Sequence, residues 1–173
     1  HLDGARLWNA SAATDTPLER FTACADLTMV SFSKGLGAPV GSALAGTEVL
    51  IEAAWEARKR FGGGMRQSGI LAAGALYGLE HNLARLPEDH ENAQRLAAVV
   101  GEVPDVRVIA PDTNIVMIDL PDRLDSGTVV SAAARRGVNV GAWTSSRLRV
   151  VTHLDVSRED VERAAHLLRE TLA

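Results

Sequence analysis

A lysine in a glycine-rich segment is the residue of this sequence best suited to covalent chemistry. The segment, residues 33–41, reads Ser-Lys-Gly-Leu-Gly-Ala-Pro-Val-Gly and follows an apolar run at 27–32, which places Lys34 just beyond a predicted buried strand. Burial disfavours the charged ammonium, so a lysine in this position can supply the neutral amine that Schiff-base chemistry with a carbonyl group needs. The glycines let a ligand approach the backbone closely. A solvated, inert lysine in a surface turn fits the same pattern, and the segment by itself leaves both interpretations open.

The glycines of this segment do not match the two common nucleotide-binding motifs. In the phosphate-binding loop the lysine follows the glycines, whereas Lys34 precedes them. The dinucleotide-binding motif requires a small residue at its last position, where this sequence has Val40. We therefore exclude both kinds of nucleotide site.

A second group of candidate residues lies at the start of the chain, in Asp3-Gly4-Ala5-Arg6. We expect Asp3 at the end of a strand, a position that faces the ligand crevice in open α/β sheets. A carboxylate there can pair with a protonated pyridine nitrogen, and Arg6 can bind a carboxylate or a phenolic oxygen. An aspartate that stabilises a helix N-terminus, beside a solvated Arg6, fits the same residues. A strand, a crossover helix and a second strand would bring Asp3 and Lys34 to one edge of a parallel sheet, where they suit the two ends of one pyridine ring.

Two successive units of different character are predicted to carry these residues. Residues 1–86 favour part of an α/β layer, and residues 87–173 favour a compact α+β unit in which strands pack on helices. Hydrophobic patterning predicts strands at 1–3, 27–32, 42–45, 106–109, 114–120, 138–140 and 147–152. It predicts helices at 5–13, 17–24, 47–60, 68–85, 88–100, 126–136 and 157–172.

Local signals add detail to three of these helices. Ser126 and Ser157 are predicted helix N-caps, and Gly137 is predicted to end the helix that Ser126 begins. The helix at 68–85 is alanine-rich and almost uncharged until Glu80. We expect it to be buried, because a helix that is apolar around most of its surface usually is.

Charge and composition argue against a nucleic-acid partner. The chain has 173 residues, of which 46% are hydrophobic, and a formal net charge of -4, with no basic stripe. The single dense basic cluster, Arg58-Lys59-Arg60, suits the last turn of a helix, where cations interact favourably with the helix dipole.

Other sequence features limit the possible cellular location of the protein and the kinds of site that it can contain. Cys24 is the single cysteine, so no internal disulfide is possible, and the five histidines show no metal-ligand spacing, so no metal site is predicted. No apolar run reaches the roughly 20 residues of a membrane span, and no signal peptide is visible, so we expect a cytoplasmic location. The chain begins with His1 in what reads as a strand end, which predicts the later part of a longer protein.

Taken together, the motifs resemble the low-specificity L-threonine aldolases, which are fold-type-I pyridoxal-phosphate enzymes. The resemblance rests on Asp3-Gly4-Ala5-Arg6 and the Lys34 segment, and it continues in order through residues 58–69, 88–93, 113–114 and 149–153. It implies that the chain is the C-terminal portion of the family sequence. Residues 1–86 would form the C-terminal part of a pyridoxal-phosphate-binding large domain with a mainly parallel sheet, and residues 87–173 a small α+β C-terminal domain.

The resemblance also implies a role for each matching residue. Lys34 would bind pyridoxal 5'-phosphate covalently, and Asp3 would hold the nitrogen of its ring. Arg6 would contact the cofactor and, together with Arg149, would hold the substrate carboxylate. Without the resemblance, Arg149 reads as an ordinary charge near a strand edge.

Two further residues match positions at a subunit interface. Lys59 and Arg66 would reach toward the cofactor of a neighbouring subunit, which implies a homo-oligomer, a dimer or often a tetramer. Ser31 could touch the cofactor phosphate, although a simple strand serine fits better, and His153 reads as a solvated or locally bonded histidine. Trp55 and Trp143 are interpreted as packing residues.

The implied reaction is the cleavage of L-threonine, L-allo-threonine and related β-hydroxy-α-amino acids to glycine and an aldehyde, a step of amino-acid metabolism. Two alternatives stay open at this point: a non-catalytic fragment that only associates with a partner half or an oligomer, and another fold-type-I β-eliminating lyase. A racemase or transaminase would need a different substrate-side pattern, and the loop at 62–69 argues against both.

Overall fold

The computed structural model describes all residues from 1 to 173, and the chain divides into two compact units, His1–Leu86 and Pro87–Ala173. The first unit contains a three-stranded sheet and the second a four-stranded sheet, each accompanied by helices, so the predicted α/β character is confirmed. None of the helices is both long and apolar enough to cross a membrane.

The first unit has a mixed sheet in the order β1-β2-β3. Its elements are β1 (Leu2–Gly4), α1 (Leu7–Thr14), α2 (Leu18–Thr22), β2 (Leu27–Ser31), β3 (Ser42–Gly46), α3 (Glu48–Arg60), α4 (Gly69–His81) and a 3-10 turn at Leu83–Arg85. The strands β1 and β2 are parallel because α1 and α2 form the crossover between them. The strands β2 and β3 are antiparallel, since residues 32–41 contain no helix that could carry the chain back across the sheet.

The second unit has an antiparallel sheet in the order β4-β5-β7-β6. Its elements are α5 (Leu86–Val100, whose first residue still belongs to the first unit), β4 (Arg107–Ile109), β5 (Ile115–Asp119), α6 (Ser126–Arg135), β6 (Gly141–Thr144), β7 (Arg147–Val151) and α7 (Arg158–Leu172). Burial alternates along β5 and β7, so each of these strands turns one face to the core. The core side chains come from the sheet and from all three helices and include Leu96, Val116, Ile118, Val129, Leu148, Val150 and Leu168.

The strand predicted at 138–140 does not form. Gly137 has φ +82°, and the N–H groups of Gly137 and Val138 donate to the carbonyls of Ala134 and Ala133 at 2.9 and 3.0 Å. This paired arrangement is the Schellman motif that ends α6, so Val138 completes a helix terminus instead of starting a strand. The strand begins at Gly141.

One of the two predicted helix caps is wrong by one residue. Asp125, not Ser126, caps α6: its carboxylate accepts a hydrogen bond from the Thr128 N–H at 3.1 Å. Ser126 is buried and donates its hydroxyl to the Thr144 carbonyl at 2.6 Å. The cap at Ser157 is confirmed, since its Oγ accepts from the backbone N–H of Asp160 at 3.1 Å.

The burial predicted for the helix at 68–85 is wrong within this chain. In α4, Ile70 is 85% exposed and Tyr77 59% exposed, whereas Gly78 is the only buried residue. An apolar circumference indicates a helix that can be covered on all sides. It does not indicate which surface packs on the helix. In this chain, α4 is buried only on the side that carries Gly78.

The buried His90 of α5 predicts a pH dependence of stability. Burial lowers the pKa of His90 below its ordinary value of 6.5, so the folded chain resists protonation of this ring. As the pH falls below about 6.5, the unfolded chain binds a proton that the folded chain does not, and the free energy of unfolding should decrease. The decrease should end once the pH lies below the lowered pKa. Urea titrations between about pH 7.5 and pH 5 measure this slope.

Replacement of the ring separates His90 from the other titrating groups. His90→Gln should flatten the slope relative to the wild type, because it removes the buried group whose pKa is lowered in the folded chain. A His90→Gln chain that retains the wild-type slope would contradict this origin.

Candidate active site

The parallel pairing of β1 and β2 brings the first two candidate residues to one edge of the sheet. The register pairs Asp3 with Met29 and Gly4 with Val30, and both strands run in the same direction. Their carboxyl ends therefore lie at the same edge, about 4.8 Å apart from strand to strand. Asp3 is the penultimate residue of β1, and Lys34 follows β2 in the loop that leaves this edge.

The carboxylate of Asp3 is exposed and only partly engaged. Its Oδ1 accepts a hydrogen bond from the Ala5 N–H at 3.1 Å, an interaction that fixes the carboxylate at the turn between β1 and α1. Oδ2 has no partner in the chain. Asp3 therefore keeps one carboxylate oxygen available to accept a further hydrogen bond.

A glycine directly after Asp3 allows the two strands to approach closely. A Cβ at Gly4 would lie 2.3 Å from the Met29 carbonyl oxygen and 3.2 Å from the Leu7 Cβ. No side chain fits at that distance, so Gly4 is required for the β1–β2 pairing that positions Asp3.

We predict that Gly4→Ala destabilises the first unit by about 1–3 kcal/mol, the usual cost of overpacking. The clash should separate β1 from β2 and weaken any ligand binding that depends on Asp3. Gly69→Ala is the matched control, because a Cβ at Gly69 meets no atom within 4 Å. Chemical denaturation measures both, and a Gly4→Ala chain as stable as the Gly69→Ala chain would rule out the close approach.

A tight turn carries Lys34. The Gly37 N–H donates to the Lys34 carbonyl at 2.9 Å, and Gly37 has φ +70°, a conformation that favours glycine. The Ala38 N–H donates to the Phe32 carbonyl at 3.0 Å, which closes the loop back onto the end of β2. The backbone of Lys34 is thus fixed on both sides.

The side chain of Lys34 is exposed, which agrees with the surface-turn interpretation of the two that the sequence left open. The residue lies three positions beyond the end of β2, where the turn has already left the buried layer. Its amine has no hydrogen bond or ion pair within the chain. What makes Lys34 available in this structure is the lack of a competing partner, not desolvation.

Two further candidates of the first unit, Arg6 and Ser31, differ in their burial and hydrogen bonds. Arg6 occupies the N-cap position of α1 and is half-buried, with its carbonyl accepting from the Ala10 N–H at 3.0 Å. Ser31 is buried in β2, and its carbonyl accepts from the indole N–H of Trp8 at 3.0 Å. Ser31 therefore fits the role of a strand serine.

The basic end of α3 surrounds an exposed tryptophan. The guanidinium carbon of Arg58 lies 4.9 Å and the Lys59 Nζ 5.8 Å from the centre of the Trp55 ring. Trp55 is 54% exposed, so the packing role predicted for it is not seen in this chain. Arg66 is exposed in the loop between α3 and α4 and has no partner within the chain.

The second unit holds Arg149 at the centre of β7. Arg149 pairs with Met117 of β5 and Gly141 of β6, and its guanidinium carbon lies 5.6 Å from the ring centre of Trp143. Trp143 is exposed, so it too lies outside the core. The strand thus presents Arg149 half-exposed on a fixed backbone beside an aromatic face.

A buried polar network fixes the end of β7 just after Arg149. The Asn114 amide donates to the Thr152 carbonyl at 2.7 Å, and the Thr152 hydroxyl donates to the Asp89 carbonyl at 2.6 Å. All three residues are buried. His153, which follows, is exposed with its Nδ1 3.5 Å from the Asp155 carboxylate, in agreement with the interpretation as a locally bonded histidine.

Sequence reasoning missed two polar residues beneath the Lys34 turn. Asn9 of α1 is buried, and a Cβ at Gly35 would lie 3.1 Å from its Oδ1. Asn82, at the C-terminus of α4, donates its amide to the Leu36 carbonyl at 2.9 Å. Neither lies in a local motif, because the contacts join positions far apart in the sequence.

Comparison with solved structures defines the class of fold. A threonine aldolase from Leishmania major superposes with a TM-score of 0.75 and 19% identity, covering 99% of this chain and 51% of that one. An α-aminoadipate aminotransferase from Thermus thermophilus, complexed with N-(5'-phosphopyridoxyl)-L-leucine, superposes with a TM-score of 0.68 and 21% identity over 90% of this chain and 44% of its own. The chain thus has the fold of the fold-type-I pyridoxal-phosphate enzymes.

The chain belongs to the beta-eliminating lyase family, whose model matches residues 1–123. It is 41% identical over 165 residues to low-specificity L-threonine aldolase 1 of Arabidopsis thaliana, covering 93% of this chain and 46% of the relative. It is 44% identical over 167 residues to the low specificity L-threonine aldolase of Escherichia coli K12, covering 96% and 49%. The resemblance to the low-specificity L-threonine aldolases is confirmed. The chain spans about half the length of these curated relatives.

Proposed function

We propose that this chain acts in a pyridoxal-phosphate-dependent lyase that cleaves L-threonine, L-allo-threonine and related β-hydroxy-α-amino acids to glycine and an aldehyde. The observation that carries the proposal is the unpartnered amine of Lys34 at the sheet edge where the neighbouring strand presents the Asp3 carboxylate. The names of the relatives at 41% and 44% identity support the choice of substrate.

The residues at this edge fit pyridoxal phosphate. A covalent link to the cofactor needs an amine without a competing partner, and Lys34 supplies one. The far side of the ring needs a carboxylate acceptor for a protonated nitrogen, and Asp3 has a free Oδ2. When bound, the cofactor supplies an electron sink for the electron pair that bond cleavage leaves on Cα.

The other candidates would bind and orient the substrate. Arg6 and Arg149 would each offer a planar fork of donors to the substrate carboxylate, which fixes the direction of the scissile Cα–Cβ bond. Asp3 would keep the proton on the ring nitrogen. Lys59 and Arg66 would extend toward the cofactor of a neighbouring subunit, in a homodimer or homotetramer located in the cytoplasm.

Product analysis of the complete protein tests the reaction. With L-threonine or L-allo-threonine and pyridoxal phosphate, we expect glycine and acetaldehyde in equal amounts, measured by amino-acid chromatography and by coupled alcohol dehydrogenase. The description of the family favours β-elimination as the second candidate. That reaction would convert threonine to 2-oxobutanoate and ammonia without glycine, and this result would replace the aldol cleavage. Absence of both products would contradict the proposed cleavage of threonine.

A further inference from the structure

The turn that carries Lys34 rests on the C-terminal end of α4 through one fully buried residue. Leu36 is 0% exposed, and its carbonyl accepts the 2.9 Å hydrogen bond from the Asn82 side-chain amide. A Cβ at Gly78 would lie 2.5 Å from the same carbonyl oxygen. The helix therefore approaches the turn as closely as a glycine permits, and Asn82 supplies the hydrogen bond at the point of contact.

The hydrogen bond from Asn82 is the only one that the Leu36 carbonyl receives. A buried carbonyl without a donor is unfavourable, so the turn is held where this bond can form. The backbone of Asn82 is held by two hydrogen bonds of its own. The Asn82 N–H donates to the Gly78 carbonyl at 2.9 Å, and the Asn82 carbonyl accepts from the Arg85 N–H at 3.1 Å.

The position of Leu36 determines the position of Lys34. The two residues belong to one turn closed by the Gly37-to-Lys34 hydrogen bond, so a displacement of Leu36 moves the Lys34 backbone with it. Packing on the preceding residue is equally close, since a Cβ at Gly35 would lie 2.7 Å from the Leu86 Cδ2. Within this set, Asn82 is the one side chain that holds the turn by a directional polar contact.

We propose that Asn82 is a positioning residue that sets the Lys34 amine for reaction with the cofactor. The inference rests on the proposed function of Lys34 and adds a residue from a different helix to it. Loss of the Asn82 donor should release the Leu36 carbonyl and let the turn shift, which spreads the Lys34 amine over positions that face the cofactor less well.

The test measures cofactor binding at Lys34 instead of turnover. The complete protein is titrated with pyridoxal phosphate, the adduct is fixed with borohydride, and the Lys34 and Lys59 peptides are quantified. Asn82→Asp keeps the size of the side chain and removes the donor. We expect the pyridoxal-phosphate concentration that half-saturates Lys34 to rise about tenfold, the equivalent of one hydrogen bond of about 1.4 kcal/mol. Background labelling of Lys59 should not change.

Ser11→Ala is the matched control in the same unit. It removes a side-chain hydrogen bond to a backbone carbonyl, from Ser11 Oγ to Thr16 at 2.7 Å, away from the turn. A loss of stability alone would affect both variants equally, so only a selective effect of Asn82→Asp on Lys34 supports positioning. The proposal is overturned if the same pyridoxal-phosphate concentration half-saturates Lys34 in the wild type and in a folded Asn82→Asp variant.

A second variant keeps the proposal testable if Asn82→Asp does not fold. Asn82→Gln retains the amide on a longer side chain and displaces it by about 1.5 Å. We expect the pyridoxal-phosphate concentration that half-saturates Lys34 to rise several-fold, and a wild-type value overturns the proposal. If the wild type itself forms no adduct at Lys34, the proposed function has failed instead, so the two failures are distinct.

Discussion

Replacement of Lys34 by alanine should abolish covalent cofactor binding and lower the activity of the complete protein by at least about 10⁴-fold, the scale of losing a covalent nucleophile. The fold should not change, because the Lys34 side chain is exposed and makes no hydrogen bond or ion pair. Visible absorbance with added pyridoxal phosphate, steady-state kinetics and thermal melting measure the three effects.

Two controls separate the amine from the charge. Lys34→Arg keeps the positive charge but cannot condense with an aldehyde, so it should behave as the alanine variant does. Arg20→Ala removes an exposed cation on α2 and should retain both absorbance and activity. An absorbance band that persists in Lys34→Ala would assign the covalent link to another residue.

Replacement of Asp3 by asparagine should lower kcat by about 100-fold or more, the effect of removing one oriented electrostatic partner from a reacting group. The amide can still accept the Ala5 N–H that Asp3 accepts at 3.1 Å, so the turn into α1 should persist. A neutral amide cannot stabilise a proton on the ring nitrogen, and the bound cofactor then withdraws electrons less well. Cofactor affinity should fall as well.

Asp26→Asn is the matched control for the loss of one carboxylate. Asp26 is exposed and directly precedes β2, at the opposite end of the strand from the candidate site. This variant should keep the wild-type kcat and cofactor affinity. An Asp3→Asn enzyme with unchanged kcat would show that Asp3 does not pair with the cofactor.

The sequence predicted those parts of the fold that depend on local pattern. The crossover between two strands followed from the spacing of apolar runs, and the parallel register of β1 and β2 puts Asp3 and Lys34 at one edge. The cap at Ser157 followed from its own four-residue motif. These features involve near neighbours along the chain, or the handed geometry common to all such crossovers.

Features that depend on competition or on long-range contacts could not be predicted. Asp125 and Ser126 are both good caps, and their order was decided by the bond from Ser126 to Thr144, eighteen positions away. The exposure of Lys34 depends on where the turn leaves the sheet. The contact of Asn82 with the Leu36 carbonyl joins residues 46 positions apart, so no local sequence pattern predicts it.

The most direct test of Lys34 as the cofactor-binding residue is borohydride trapping followed by peptide mapping. The two lysines of the chain, Lys34 and Lys59, provide an internal comparison. The complete protein is mixed with pyridoxal phosphate, reduced, digested and analysed by mass spectrometry. We predict a near-stoichiometric adduct on Lys34 with only background labelling of Lys59. Equal labelling of both lysines, or an adduct confined to another residue, would contradict the assignment of this sheet edge as the active site.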